Sequence, residues 1–262
     1  MTTRQFVVVA VDGPSGSGKS SVSKEVARRL GMHYLDTGAM YRATTWWCLH
    51  TAVALDDQGA VAASLSSIEV RMGTDPSAPT VHIVHPGEGI VDVTQAVREP
   101  RISAAVSAVA TNLQVRADLR ARQRQIIAMA AEAAALPDGS GDRAAAVAAT
   151  NGPAPHPEGS GAGIVVEGRD ITTVVAPDAR VRVLLTASEE SRLSRRAAQD
   201  RQAGANQSTH QTRDQVLRRD AQDATVAQFL TAADGVIEVD SSQLTFEATV
   251  QTLIALVQGA RQ

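Results

Sequence analysis

One cysteine, Cys48, in 262 residues allows neither a disulfide framework nor a thiolate metal cage within the chain. No apolar run approaches the roughly 18 residues that a membrane-spanning helix requires. Met1 to Asp12 holds one arginine and the apolar run Phe6 to Val11 before an acidic residue, which is too short for a secretory signal and shows no cleavage site. Excess charge of one sign is also missing. The 25 basic and 28 acidic side chains leave a net charge of -3, so bulk electrostatics draw the chain to neither nucleic acid nor an anionic membrane. A soluble, cytoplasmic monomer is the expectation. Lysine is scarce too: Lys19 and Lys24 are the only two, and every other basic residue is arginine.

What the chain does have is an alternation of short apolar runs with helical patterns. Phe6 to Val11, Ile164 to Val166, Val181 to Leu185 and Val236 to Val239 have the length and β-branched content of buried strands. Val22, Val26, Ala27 and Leu30 mark one helix face that stops at Gly31, and Leu244, Val250, Leu253, Ile254 and Val257 mark a C-terminal helix. Strands buried on both faces and separated by helices predict an α/β fold around a mainly parallel sheet. Two stretches interrupt this order. Alternating residues between Ile68 and Val97 predict a small antiparallel insert, within a lobe at about 63–100. Residues 137–163, rich in Gly, Pro, Ala and Ser, predict a flexible loop. Arg101 to Ala135 is helical in pattern, and the capping-box spacing of Thr111 and Gln114 places a break there.

Gly13-Pro14-Ser15-Gly16-Ser17-Gly18-Lys19-Ser20 matches the phosphate-loop pattern, follows a predicted strand and opens a predicted helix. Its glycines let backbone N–H groups turn toward a polyphosphate, with the dipole of the helix behind them. Lys19 can bridge the outer phosphates, and Ser20 can place its hydroxyl on Mg²⁺; Ser21 completes the candidate ATP-binding segment. A dinucleotide-binding fingerprint fails because Ser21 stands where its third glycine belongs. A GTPase switch is disfavoured because neither lysine lies in an Asn-Lys-x-Asp guanine reader. His82-x-x-His85 points its imidazoles to opposite sides of a strand and builds no metal site.

Further along stand Asp36-Thr37-Gly38-Ala39-Met40-Tyr41-Arg42, then Val165-Val166-Glu167-Gly168-Arg169-Asp170, Thr173 to Ala179, and Arg218 to Asp223. Together with the phosphate loop, and in this order over most of the chain, these segments resemble bacterial-type cytidylate kinases. The resemblance implies a three-layer P-loop fold with an inserted monophosphate-binding lobe and a helical lid at about 188–222. It also implies ATP-dependent phosphorylation of CMP or dCMP, with Thr37, Tyr41, Ser107, Arg116, Arg219 and Asp223 among the residues that hold the acceptor. Another small-molecule P-loop kinase, or a nucleotide-binding protein without turnover, is the alternative.

Residue chemistry points the same way. Mutually repelling phosphates need guanidinium groups, which fork onto oxygens and stay charged. Arg42, Arg169 and the i, i+3, i+4 set Arg192, Arg195 and Arg196, behind a Ser188 cap, are candidates; Arg195 and Arg196 join Lys19 as candidate catalytic groups. Arg120 and Arg124 read as a solvated face. Asp170 follows a strand end, where open parallel sheets bind ligands, and its carboxylate can accept from the cytosine 4-amino group. Adjacent Arg169 offers it a simple local ion pair instead. Thr172 stands where the family has glycine, which would strain a β-branched residue if the position needed a positive φ. Past Asp223, no arginine follows where the family usually has one.

Overall fold

The computed structural model describes residues 5–136, 163–202 and 209–260. Along the chain, β1 (Val7–Asp12) leads into α1 (Lys19–Leu30), and β2 (His33–Asp36) into α2 (Thr37–His50) and α3 (Gln58–Ser66). A meander follows: β3 (Glu69–Met72), β4 (Val81–His85) and β5 (Gly89–Asp92). A 3-10 turn (Ala96–Arg98) enters α4 (Pro100–Ala110) and α5 (Leu113–Ala135). Then come β6 (Gly163–Gly168), a π-helical turn (Ile171–Val175), β7 (Val181–Thr186), α6 (Glu189–Gln202), α7 (Thr209–Ala224), β8 (Ile237–Asp240) and α8 (Phe246–Gly259).

The sheet runs β2-β6-β1-β7-β8, all parallel, as the alternating pattern predicts. β1 lies in the middle because its apolar residues serve both layers. Val7, Val9 and Val11 pack with α1 and α8 through Val22, Val26, Val250 and Leu253, while Ala10 faces the other layer with Leu35, Met40 and Ile164. A fully buried Val or Leu contributes about 1.5–3 kcal/mol, so a strand buried on both faces anchors the fold. The chain moves to opposite sides of β1 for β6 and β7, which opens a crevice at the carboxyl ends of these strands.

Four features, namely β2, the helix cap, the 137–163 stretch and Thr172, depart from the sequence reading or fall beyond it. β2 was not foreseen: His-Tyr-Leu-Asp is no apolar run, and Tyr34 N–H donates to Thr74 O outside the sheet (2.8 Å). The helix break falls where expected, but the cap is Asn112 rather than Thr111. The Asn112 side-chain oxygen accepts from Gln114 N (3.0 Å) and Val115 N (3.1 Å), while Thr111 Oγ1 donates back to Ser107 O. The stretch read as a loop at 137–163 lies outside the described residues except for Gly163, which opens β6. The alternating insert forms a three-stranded antiparallel sheet in the order β3-β4-β5.

The fourth departure concerns Thr172. It does not have a positive φ; Ala52 is the non-glycine residue that does, among the described residues. Thr172 instead sits in the π-helical turn and holds Asp12, the last residue of β1. Asp12 accepts from Ile171 N (3.0 Å), Thr172 N (2.8 Å) and Thr172 Oγ1 (2.6 Å), while its burial pushes the carboxyl up to about 6. Removing one partner leaves a buried carboxyl short of a donor, which costs about 1–3 kcal/mol. Thr172→Val should therefore lower the free energy of unfolding in urea by about that amount, and Thr172→Gly should not raise it. Stabilisation by glycine would mean that the threonine is strained after all.

Candidate active site

The segment after β1 turns at Gly16 (φ 79) and Gly18 (φ 89), both in the left-handed region that glycine tolerates. A Cβ on Gly16 would also lie 2.6 Å from the carbonyl oxygen of Arg192, so α6 rests directly on the loop backbone. Lys19 opens α1 and donates from Nζ to Pro14 O (3.2 Å). Burial pulls its ammonium down to about 8, against the attraction of Glu167. Ser20 Oγ donates to Glu167 Oε1 at 2.7 Å.

Asp36 ends β2, Glu167 is the penultimate residue of β6, and the two are register partners in the sheet. Their environments separate them. Burial and the neighbouring Asp36 charge push Glu167 up to about 7. Burial also works on Asp36, but the Arg42 and Arg98 guanidiniums outweigh it and hold this carboxyl at about 2. Arg42 donates to Asp36 Oδ2 at 2.8 Å, and Arg98 reaches the same oxygen from the meander side at 3.4 Å. Asp36 also caps α2 through Ala39 N (2.8 Å).

On the far side of the crevice, Arg116 and Arg120 both bond Asp170 Oδ2, at 2.6 and 2.8 Å. The local pair of Arg169 with Asp170 does not form. Arg169 instead reaches α7, with Nη2 2.9 Å from Asp220 Oδ1 and Nε 3.1 Å from Asp223 Oδ2. Asp223 also accepts from Ser107 Oγ (3.2 Å), and Arg219 Nε lies 3.7 Å from it. Burial and then the nearby Arg169 charge pull the Arg219 guanidinium down to about 10.

These groups surround one cavity of about 500 Å³ that begins at the loop and ends at Asp170. Of the residues foreseen, Ser15, Gly16, Gly18, Lys19, Ser20, Ser21, Thr37, Tyr41, Arg42, Arg116, Arg169, Asp170, Arg196, Arg219 and Asp223 line it. Gly13, Pro14 and Ser17 belong to the loop without forming the wall, and Ser107 is one hydrogen bond away through Asp223. Arg195 bonds the loop at Ser17 O (3.0 Å) and Ser241 O (2.8 Å) rather than entering the cavity. Arg192 likewise donates to Ser15 O (3.1 Å) and to Asp220. Ser188 Oγ accepts from Ser191 N (3.3 Å), as a cap should.

Reading residue types alone passed over Asp36, Arg98, Arg120, Glu167 and Asp220. Arg120, expected on a solvated face, is instead paired with buried Asp170; Arg124 is exposed and reaches Val174 O. The signal for Asp36 and Glu167 was an acidic residue at or next to the carboxyl end of a strand. Asp220 joins the phosphate loop, where Ser15 N–H donates to its Oδ1 (3.1 Å), to both Arg169 and Arg192.

Five buried donors on the cavity-lining side chains have no hydrogen-bond partner: the Tyr41 hydroxyl, Arg42 Nε, Arg116 Nε, Arg169 Nη1 and Arg219 Nε. Buried polar groups are nearly always bonded, so orphans gathered in one cleft mark groups that a bound molecule satisfies. A phosphate loop closing the central strand and an arginine-rich cleft opening from it define a P-loop kinase. Known proteins narrow this class. The family model for cytidylate kinase matches residues 9–139 and 158–259. A cytidylate kinase of Streptomyces avermitilis is 40% identical over 256 residues, 97% of this chain and 94% of its own. One from Cutibacterium acnes is 40% identical over 253 residues, 96% of each chain, and one from Corynebacterium glutamicum 35% over 257 residues, 98% of this chain and 96% of its own. The chain belongs to the cytidylate kinase family.

The raised Glu167 carboxyl has a consequence for stability. Its folded value lies above the ordinary 4.5, so its stabilising contribution is complete below about pH 4.5 and is lost as pH rises through about 7. In urea titrations without nucleotide or metal, wild type should lose stability relative to Glu167→Gln between pH 5 and pH 8. A difference that does not change with pH would show that Glu167 ionises as an ordinary carboxyl.

Proposed function

We propose that this chain transfers the γ-phosphoryl group of ATP to CMP or dCMP. The observation that carries this reading is the set of five orphaned donors in a cleft that starts at a phosphate loop. Membership of the cytidylate kinase family supports the pyrimidine acceptor.

On this reading the loop N–H groups and Lys19 hold the ATP phosphates. The orphaned Nε of Arg42 and Nη1 of Arg169 take the acceptor phosphate. Arg116 and Asp170 meet the base, where a carboxylate accepts from the cytosine 4-amino group and repels the oxygen that uracil carries instead. Ser107, Arg219 and Asp223 form the wall near the sugar. Ser20 Oγ and Glu167 Oε1, adjacent hard oxygen donors beside Lys19, fit a divalent cation and would hold Mg²⁺. When bound, that ion draws charge from the transferring phosphoryl group. No side chain need act as a base, because the acceptor phosphate oxygen is already anionic. The chain's own contribution is to align donor and acceptor and to spread the developing charge over Lys19 and the arginines. The β3-β5 meander with the 3-10 turn that follows it serves as the monophosphate lobe, and α6 with α7 as the lid; Arg98 from the first and Arg196 from the second line the cavity. The cytoplasm is part of this reading, and buried, unpaired Cys48 fits a reducing compartment.

A coupled assay of ADP release tests the proposal. CMP should stimulate turnover above the rate with ATP alone, and preference for another acceptor, or ATP binding without turnover, would overturn the assignment. Lys19→Ala should lower transfer at least a hundredfold while CMP still binds by calorimetry; an active variant is incompatible with the role given to the loop. Asp170→Asn should narrow the ratio of kcat/KM for CMP over UMP about tenfold or more, the scale of one base-edge contact of roughly 1–3 kcal/mol. An equal loss for both substrates would remove Asp170 from base reading.

A further inference from the structure

Phe229 lies between α7 and β8, is 1% exposed, and carries the guanidinium of Arg169 over its ring at 4.2 Å from the centroid. Nothing in the phosphoryl-transfer chemistry itself calls for an aromatic residue there. Its contact becomes meaningful beside the other partners of Arg169. Nε and Nη2 are fixed along one edge of the guanidinium by Asp223 and Asp220, and the ring covers its face. Edge and face together fix both the rotation and the tilt of a planar cation. The one nitrogen left without a partner is Nη1, buried in a residue that lines the cavity. Both carboxylates are shared, Asp220 with Arg192 and Ser15 N–H, Asp223 with Ser107 and Arg219. Neither can follow Arg169 without disturbing another bond, whereas the π face adapts to one cation.

We infer that Phe229 is a positioning residue for the acceptor: by stacking on Arg169 it presents Nη1 to the monophosphate as a pre-oriented donor. This rests on the functional reading above. The ring acts on acceptor affinity and not on the ATP side, because its contact passes through Arg169.

The test begins with wild-type turnover of CMP, whose absence would remove the functional reading and this inference with it. Given turnover, Phe229→Leu keeps the apolar bulk without the π face and should raise KM for CMP about five- to tenfold, leaving kcat and KM for ATP within about twofold. Fluorinated phenylalanines at position 229 change the ring quadrupole with little change of shape, so they preserve the fold even if the leucine variant does not. KM for CMP should then climb with each added fluorine. In an Arg169→Gln background the same replacements should shift KM less than about twofold. A flat fluorine series, or an equal rise with and without Arg169, would overturn the positioning role while leaving CMP phosphorylation in place.

Discussion

The fold collects cationic side chains around one cavity faster than it supplies carboxylates to balance them, and most of the site's geometry answers this imbalance. Seven lysine and arginine residues line the cleft against Asp36, Glu167, Asp170 and Asp223. The depressed Lys19 and Arg219 show the cost, since both lose proton affinity through burial and neighbouring guanidiniums. The carboxylates then act as spacers. Asp36 holds Arg42 and Arg98, Asp170 holds Arg116 and Arg120, and the Asp220 and Asp223 pair holds Arg169. Arginines fixed this way keep their distance from one another before any ligand arrives, so an entering polyanion meets dipoles and charges already in place. Because it completes an incomplete charge set, such a ligand also stabilises the folded chain by mass action.

The same bonds join parts of the chain far apart in sequence. Asp220 of α7 accepts the Ser15 N–H, Arg192 of α6 donates to the Ser15 carbonyl, and Arg195 donates to the Ser17 carbonyl. Gly16 lets the α6 backbone approach as well. Opening these helices would therefore rearrange hydrogen bonds of the phosphate loop itself. Access for nucleotide and shape of the loop are linked quantities in this fold.

Much of this was legible from local pattern. The four apolar strands, the α1 and α8 faces and the eight-residue loop each carry their signal within a short window, and the structure places them where periodicity does. The rest depends on contacts that no window contains. β2 is polar enough to be hidden and is fixed by β6 on one side and Thr74 on the other. Arg120 has the spacing of a solvated stripe, and only the approach of the β6 end turns it onto Asp170. Thr172 looks misplaced until the end of β1 arrives with a carboxyl needing its hydroxyl. The adjacent pair Arg169 and Asp170 suggested one ion pair, yet successive residues point apart and each found partners on a different helix.

The position of Lys19 also matters for chemical labelling. Its amine, with reduced affinity for a proton, sits at the start of a nucleotide-sized cleft, while Lys24 is exposed on α1 outside it. With only these two lysine side chains in the sequence, an acylating reagent carried in on a polyphosphate tether is directed to one nucleophile, and a freely diffusing one meets the other first.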